Sequence, residues 1–138
     1  MKKRVSVLAT GIALLAPATL FACGHCVEDR AAVVYDHGVV VSARNGNRQM
    51  AFYGIEGSSA RMAEAPRLVA RTLASVRGVN PRSLRISTDA GALSFSYDRR
   101  TTAAQVAAAL DAALAALELR VVPMEGFNPA PSPRPAHS

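Results

Sequence analysis

Residues 73–98 read LASVRGVNPRSLRISTDAGALSFSYD, and they predict the end of a helix followed by two strands. The helix begins near Pro66, which suits a first turn, and it ends before Gly78, with Pro81 close behind. Its apolar stripe consists of Leu68, Val69, Leu73 and Val76, which recur at the spacing of one helix face. We therefore expect an amphipathic helix that leads directly into the strands.

The second half of the stretch predicts a β-hairpin. The segments 84–87 and 93–97 each alternate apolar and polar residues, a pattern typical of strands with one buried face. The link TDAG at 88–91 supplies residues that favour a tight turn. We expect the serines of the second strand, Ser94 and Ser96, to lie on a face open to water.

The flanking sequence adds one strand before this unit and a helix and a strand after it. RQMAFYGIEG at 48–57 is rich in strand formers and closes on glycine. Thr102 and Gln105 form a capping box for an alanine-rich helix, and LELRVVPM at 117–124 predicts a last strand. This order predicts an α+β chain with the ferredoxin-like βαββαβ sandwich, in which two helices cover one face of a four-stranded antiparallel sheet.

The chain divides into four expected segments. Residues 1–22 have the basic start, apolar run and small residues of a signal peptide, so we expect a periplasmic or secreted protein without a transmembrane anchor. Residues 23–47 carry a CGHC segment and an extra N-terminal helix, and residues 48–125 form the ferredoxin-like domain. The tail at 126–138 is rich in proline and is expected to be disordered.

Composition argues against two classes of function. The chain has 16 lysines and arginines against 10 acidic residues, but three of the basic residues lie in the signal and the others are spread along the sequence. Since nucleic-acid binding favours clustered basic residues with stacking aromatics, we expect no nucleic-acid partner. The carboxylates show no paired spacing and the serines no nucleophile motif, so we expect no enzyme activity.

The stretch from which the fold was argued also resembles a known family. It is similar to the middle of a heavy-metal-associated domain, as in small copper chaperones, the amino-terminal modules of metal ATPases and the periplasmic mercury-binding protein. In that family a helix ends in Gly-Val and a later strand ends in Tyr-Asp. The matching residues are Gly78, Val79, Tyr97 and Asp98. The resemblance covers about residues 48–123 and implies a ferredoxin-like fold that binds a soft metal ion.

The metal loop of that family differs here. The family places Gly-Met-x-Cys-x-x-Cys between its first strand and first helix, and the corresponding residues 54–60 read GIEGSSA. The two cysteine positions fall on Gly57 and Ala60, and the segment from there to Gly78 is longer than in the family. A soft-metal site in this chain must therefore use the CGHC segment at 23–26.

The CGHC segment places the two cysteines of the chain, Cys23 and Cys26, around His25. Two thiolates and an imidazole suit a copper, mercury or zinc ion, and a helix that starts after Cys26 favours the thiolate form. A four-coordinate site would lack one ligand, whereas two-coordinate Cu(I) or Hg(II) would not. We therefore predict a metal site at Cys23, His25 and Cys26, with a metal ion and a protein of the cell envelope as partners.

Other interpretations of this segment stay open. CGHC resembles the active tetrapeptide of protein disulfide isomerases, which predicts a thiol-disulfide redox protein, although the thioredoxin order of elements is missing. Residues 20–23, LFAC, resemble a lipoprotein box, in which Cys23 becomes a lipid anchor of a non-catalytic envelope accessory module. A further alternative is that Cys23 and Cys26 form a plain disulfide bond in an oxidising compartment.

Overall fold

The computed structural model describes residues 26–128. Its helices are α1 (Val27–Val33), α2 (His37–Asn45), α3 (Ala65–Ser75) and α4 (Ala103–Leu114). Its strands are β1 (Arg48–Gly57), β2 (Val79–Ser87), β3 (Ala92–Asp98) and β4 (Leu119–Pro123). Short 3₁₀ helices at Ser59–Glu64 and Ala115–Leu117 precede α3 and follow α4. The expected signal peptide, Cys23, His25 and residues 129–138 lie outside the described residues.

The four strands form one antiparallel sheet in the order β2-β3-β1-β4. β1 lies inside the sheet, where it pairs with β3 from Arg48 to Gly54 and with β4 from Tyr53 to Gly57. β2 and β4 are the edge strands. The α+β class and the antiparallel sheet predicted from the sequence are therefore confirmed.

The main core lies between one face of the sheet and the helices α3 and α4. Tyr53, Phe95 and their neighbours on the inner strands pack against α3 and α4 because alternate residues of a strand point to the same face. The predicted capping box is present, since Thr102 and Gln105 bond reciprocally at the start of α4. The predicted apolar face of this helix is buried throughout, at Val106, Leu110, Leu114 and Leu117.

The opposite face of the sheet is covered as well, which corrects the prediction of a wet hairpin face. Ser94 and Ser96 are 0% and 1% exposed. The Ser94 hydroxyl donates a 2.6 Å hydrogen bond to the carbonyl of Val34, at the end of α1. The serines look like solvent-facing residues in the sequence, but the segment before β1 folds back over them and satisfies the buried hydroxyl.

The predicted single N-terminal helix is two helices. α1 ends at Val33, and Asp36 caps α2 by accepting a 3.1 Å hydrogen bond from the Val39 N–H. An aspartate at this position favours the start of a helix because its side chain accepts a hydrogen bond from a backbone N–H that has no acceptor within the helix. A small second core joins α1 and the residue after it to the sheet through Ala31, Val34, Phe52, Ala92 and Met124.

The helices α1 and α2 form a layer on this face of the sheet, and Arg30 of α1 fastens the layer to the sheet. Its Nε donates a 3.0 Å hydrogen bond to the carbonyl of Ala90, and its Nη2 donates to the carbonyls of Gly91 and Ile55. The guanidinium thus links α1 to the hairpin turn and to β1. Gly54 makes this approach feasible, since a Cβ there would lie 2.6 Å from Nη2 of Arg30.

The substitution Gly54→Ala tests this contact through a double-mutant cycle. In the wild-type background the new methyl group displaces the guanidinium, and the free energy of unfolding falls by about 1.5–3 kcal/mol, the value of hydrogen bonds to a charged group. In an Arg30→Ala background the same substitution is neutral or stabilises by up to about 1 kcal/mol, because alanine restricts the unfolded chain. Urea unfolding measures both values, and equal costs in the two backgrounds would refute the contact.

Tyr53 is a buried ionisable group of the main core. Its hydroxyl donates a 3.1 Å hydrogen bond to the carbonyl of Ala103. Burial, with smaller contributions from Tyr97 and Asp111, raises the pKa of Tyr53 to about 12. An unfolded tyrosine ionises near pH 10, so the folded state holds the phenolic proton more tightly than the unfolded state.

The stability of the fold is therefore expected to fall between about pH 10 and pH 12, where the unfolded tyrosine loses its proton and the folded one keeps it. Tyr53→Phe removes the hydrogen bond and should lower the free energy of unfolding by about 0.5–1.5 kcal/mol at neutral pH. In this variant the free energy of unfolding should also fall less steeply at alkaline pH. Urea unfolding from pH 8 to pH 11 measures both effects. The exposed Tyr35→Phe is the matched control, and an equally shallow fall in this control would contradict the assignment.

Candidate functional site

Cys26 is the one predicted metal ligand within the described residues. It is exposed and lies directly before α1. Its carbonyl accepts a 3.1 Å hydrogen bond from the backbone N–H of Arg30, the residue that fastens α1 to the sheet. The thiol caps no backbone N–H of the helix. Cys26 is therefore presented to solvent from a backbone that the sheet holds in place.

The described residues contain no second set of soft ligands. No group of three or more histidine, cysteine, aspartate or glutamate side chains lies close enough to hold a metal ion in residues 26–128. Cys23 and His25, the other predicted ligands, lie outside these residues. The metal site at Cys23, His25 and Cys26 stays a prediction.

The loop after β1 excludes a cysteine pair at the positions where the heavy-metal-associated family carries one. Gly57 has a φ of 127°, a conformation that residues with a side chain rarely adopt. A Cβ at this position would overlap the carbonyl oxygen of Glu118. The residues that follow form the 3₁₀ helix Ser59–Glu64. The backbone itself, and not only the missing thiols, thus separates this loop from the family's metal loop.

Replacing both positions with cysteine should therefore not restore a metal loop. We expect Gly57→Cys with Ala60→Cys, in a Cys23→Ser, Cys26→Ser background, to lose at least about 1–3 kcal/mol of unfolding free energy through backbone strain. Ala60→Cys alone changes an exposed side chain and should stay within about 0.5 kcal/mol of its parent. Urea unfolding and Cu(I) titration provide the readouts. A double variant of parental stability that binds Cu(I) would disprove this explanation of the loop.

A groove of about 330 Å³ with a mostly apolar lining runs beside α1. It is lined by Glu28, Ala31, Ala32, Tyr35 and Phe127. Tyr35 and Phe127 are 51% and 38% exposed, and Phe127 is held near Phe52 at a ring distance of 6.0 Å. Residues 126–128 of the predicted tail thus lie against the domain, where the Asn128 amide also bonds both backbone groups of Phe52.

A basic cleft, larger than this groove, is a surface feature that no local sequence pattern predicted. The cleft has a volume of about 400 Å³ and lies between α2 and the first half of β2. Arg48, Arg82 and Arg85 line it, together with Asp36 and smaller polar residues. Arg82 and Arg85 are close in the sequence, and the fold brings Arg48 and the residues of α2 to them. Pro81, which the sequence prediction placed between the helix and the strand, lies within β2, and a proline there is typical of an edge strand or a bulge.

The acidic residue that lines the cleft already has partners within the protein. Asp36 pairs with Arg85 at 2.8 Å while it caps α2. The Val39 N–H and the Arg85 guanidinium hold the pKa of the Asp36 carboxyl below its usual range. Asp36 therefore stays ionised down to unusually acidic pH and compensates one of the three arginines.

Comparisons of the chain with known protein families, with curated proteins and with solved structures found no match. The resemblance to the heavy-metal-associated family thus stays a prediction that depends on the residues already named. In residues 26–128 every helix is too short or too polar to cross a membrane.

Proposed function

We propose that this chain is a small exported protein that binds and handles a soft metal ion, copper, mercury or zinc, through Cys23, His25 and Cys26. The observation that supports it is the position of Cys26. This thiol is exposed at the start of a helix whose backbone is fastened to the sheet by Arg30. A ligand segment attached in this way remains accessible to an ion and to a protein that delivers or receives the ion.

The proposal includes a ferredoxin-like domain of the heavy-metal-associated type over residues 48–125. Two observations support it: the order βαββαβ from residue 48, and a strand order that reads β4-β1-β3-β2 from the other edge. The layer formed by α1 and α2 would then be an addition that carries the ligand segment. We propose no catalytic step for this protein, and we place it in the periplasm or outside the cell.

The ligand chemistry favours ions that accept two thiolates. Cu(I) and Hg(II) bind two sulfur ligands without a further donor, whereas zinc in a closed site needs four. His25 would complete the set for a three-coordinate ion. The described residues within 26–128 supply no cluster that would serve as a fourth ligand. We therefore expect the protein to favour Cu(I) or Hg(II) over zinc. The comparison is made after the affinity of each ion for the protein is divided by its affinity for a free thiol.

Cu(I) titration of the exported, processed protein against a chromophoric chelator tests the proposal. We expect one ion per chain, and we expect Cys23→Ser and Cys26→Ser each to weaken binding by more than about 100-fold, since even outer-shell changes cost up to that factor. His25→Ala should weaken binding less. His37→Ala is its matched control, because His37 is an exposed histidine of α2, and it should leave the affinity unchanged.

Two results would contradict the metal proposal. One is a mass for the processed protein that includes a lipid on Cys23, because a thioether removes one of the two thiolates. The other is unchanged Cu(I) binding by Cys23→Ser. A strongly oxidising reduction potential combined with rapid exchange with glutathione would instead support the redox interpretation.

A further inference from the structure

We propose that the basic cleft between α2 and β2 binds a phosphate group. The cleft is formed by residues of four elements, α2, β1, β2 and β3, and it shares no residue with the CGHC segment. The proposal is therefore independent of the metal site. It depends on the shape of the cleft, its charge and the fixed positions of its arginines.

A large irregularity in β2 opens the cleft. β2 pairs with β3 at Asn80 opposite Ser96 and again at Arg85 opposite Ser94, so residues 81–84 face a single residue of β3. The Ser83 hydroxyl replaces the lost pairing, since it accepts a 2.7 Å hydrogen bond from the Ser96 N–H and donates one of 2.6 Å to the Asn80 carbonyl. Bulges of this kind redirect side chains and often lie beside functional sites.

Hydrogen bonds to the protein fix two of the arginines. Arg85 bonds Asp36 through Nε at 2.9 Å and the Leu84 carbonyl through Nη1 at 2.9 Å. Arg48 donates a 2.6 Å hydrogen bond from Nη2 to the Gly78 carbonyl. Its Nε is buried and has no acceptor among the described residues. Guanidinium groups held in this way lose little freedom when an anion binds, which favours affinity.

The charge of the cleft matches a phosphate better than a single carboxylate. Three arginines face one aspartate, which leaves an excess of two positive charges, and a phosphate monoester carries about −1.5 to −2 at pH 7. An adjoining cleft of about 250 Å³ shares Arg48 and adds Arg44 and Arg99. Without a bound anion these like charges repel one another. A volume of about 400 Å³ also leaves room for a molecule that carries the phosphate.

The residues that line the two clefts also suit a nucleic acid less well than a small phosphate-bearing ligand. None of them is aromatic. Recognition of single strands depends on stacking of bases on aromatic side chains, in addition to a basic groove. The ligand class that fits is therefore a free phosphate, a small phosphorylated molecule or a phospholipid headgroup.

NMR titration of the exported, processed protein with inorganic phosphate at constant ionic strength tests the site. We expect saturable amide shifts at Asn80, at residues 82–85 and at Val39, and no such shifts with chloride. Arg82→Gln removes an exposed cleft arginine and should weaken binding about tenfold or more, the loss expected for one charge-assisted hydrogen bond. Arg71→Gln makes the same charge change on α3, outside the cleft, and should bind phosphate like the wild type.

A second arm identifies the source of the phosphate. The protein is sedimented with phosphatidylglycerol vesicles at physiological salt. Binding that Arg82→Gln weakens and Arg71→Gln does not supports a lipid headgroup. Phosphate binding without sedimentation supports a soluble ligand. Equal weakening by both substitutions, or vesicle binding without any binding of inorganic phosphate, would show general charge attraction and overturn the proposal. Because Cys23→Ser and Cys26→Ser should leave phosphate binding unchanged, failure of the metal site would not affect this result.

Discussion

The guanidinium of Arg30 joins three parts of the chain that are far apart in sequence: α1, the turn before β3, and β1. Each acceptor is a backbone carbonyl, so the contact depends on the course of the backbone and on the space above Gly54. If this contact is lost, α1 keeps a small second core, which contains two alanines among five buried residues, and the Ser94–Val34 hydrogen bond. The second face of the sheet, with its buried serines, depends on that layer for cover.

Both proposed sites involve the α1–α2 layer. Cys26 lies at the start of α1, and α2 supplies Asp36 and one wall of the basic cleft. The three arginines of the cleft come from β1 and β2, so this proposed site lies where the layer meets the sheet. Within the domain, the loop after β1 is closed to a cysteine pair by the conformation of Gly57. A metal function for this chain thus requires ligands from outside the β1–α3 loop.

The sequence predicted the elements from β1 to β4 well because each has a local signal. Alternation in 93–97, the capping box at Thr102 and the strand formers of 48–57 are all read within a few residues. The cover over Ser94 was missed because serine is common on wet faces and nothing local reveals a layer folded over it. The break at Asp36 was missed because a valine-rich segment carries no clear helix end.

The basic cleft could not be derived from the sequence for a different reason. Arg48 and Arg85 meet only because β1 and β2 flank the same strand and α2 covers their start, which is a property of the strand order. The predicted ligands Cys23, His25 and Cys26, by contrast, are adjacent in the chain, so proximity was evident without a structure. The structure adds that Cys26 is exposed and that its backbone is bonded to Arg30.

The central claim is that the CGHC segment holds a soft metal ion through its two thiolates. X-ray absorption spectroscopy of the copper-loaded, processed protein tests this claim most directly, because it identifies the atoms bonded to the ion. The account predicts Cu(I) with two sulfur ligands from Cys23 and Cys26 and, at most, one imidazole nitrogen. A first shell of oxygen and nitrogen alone would contradict it.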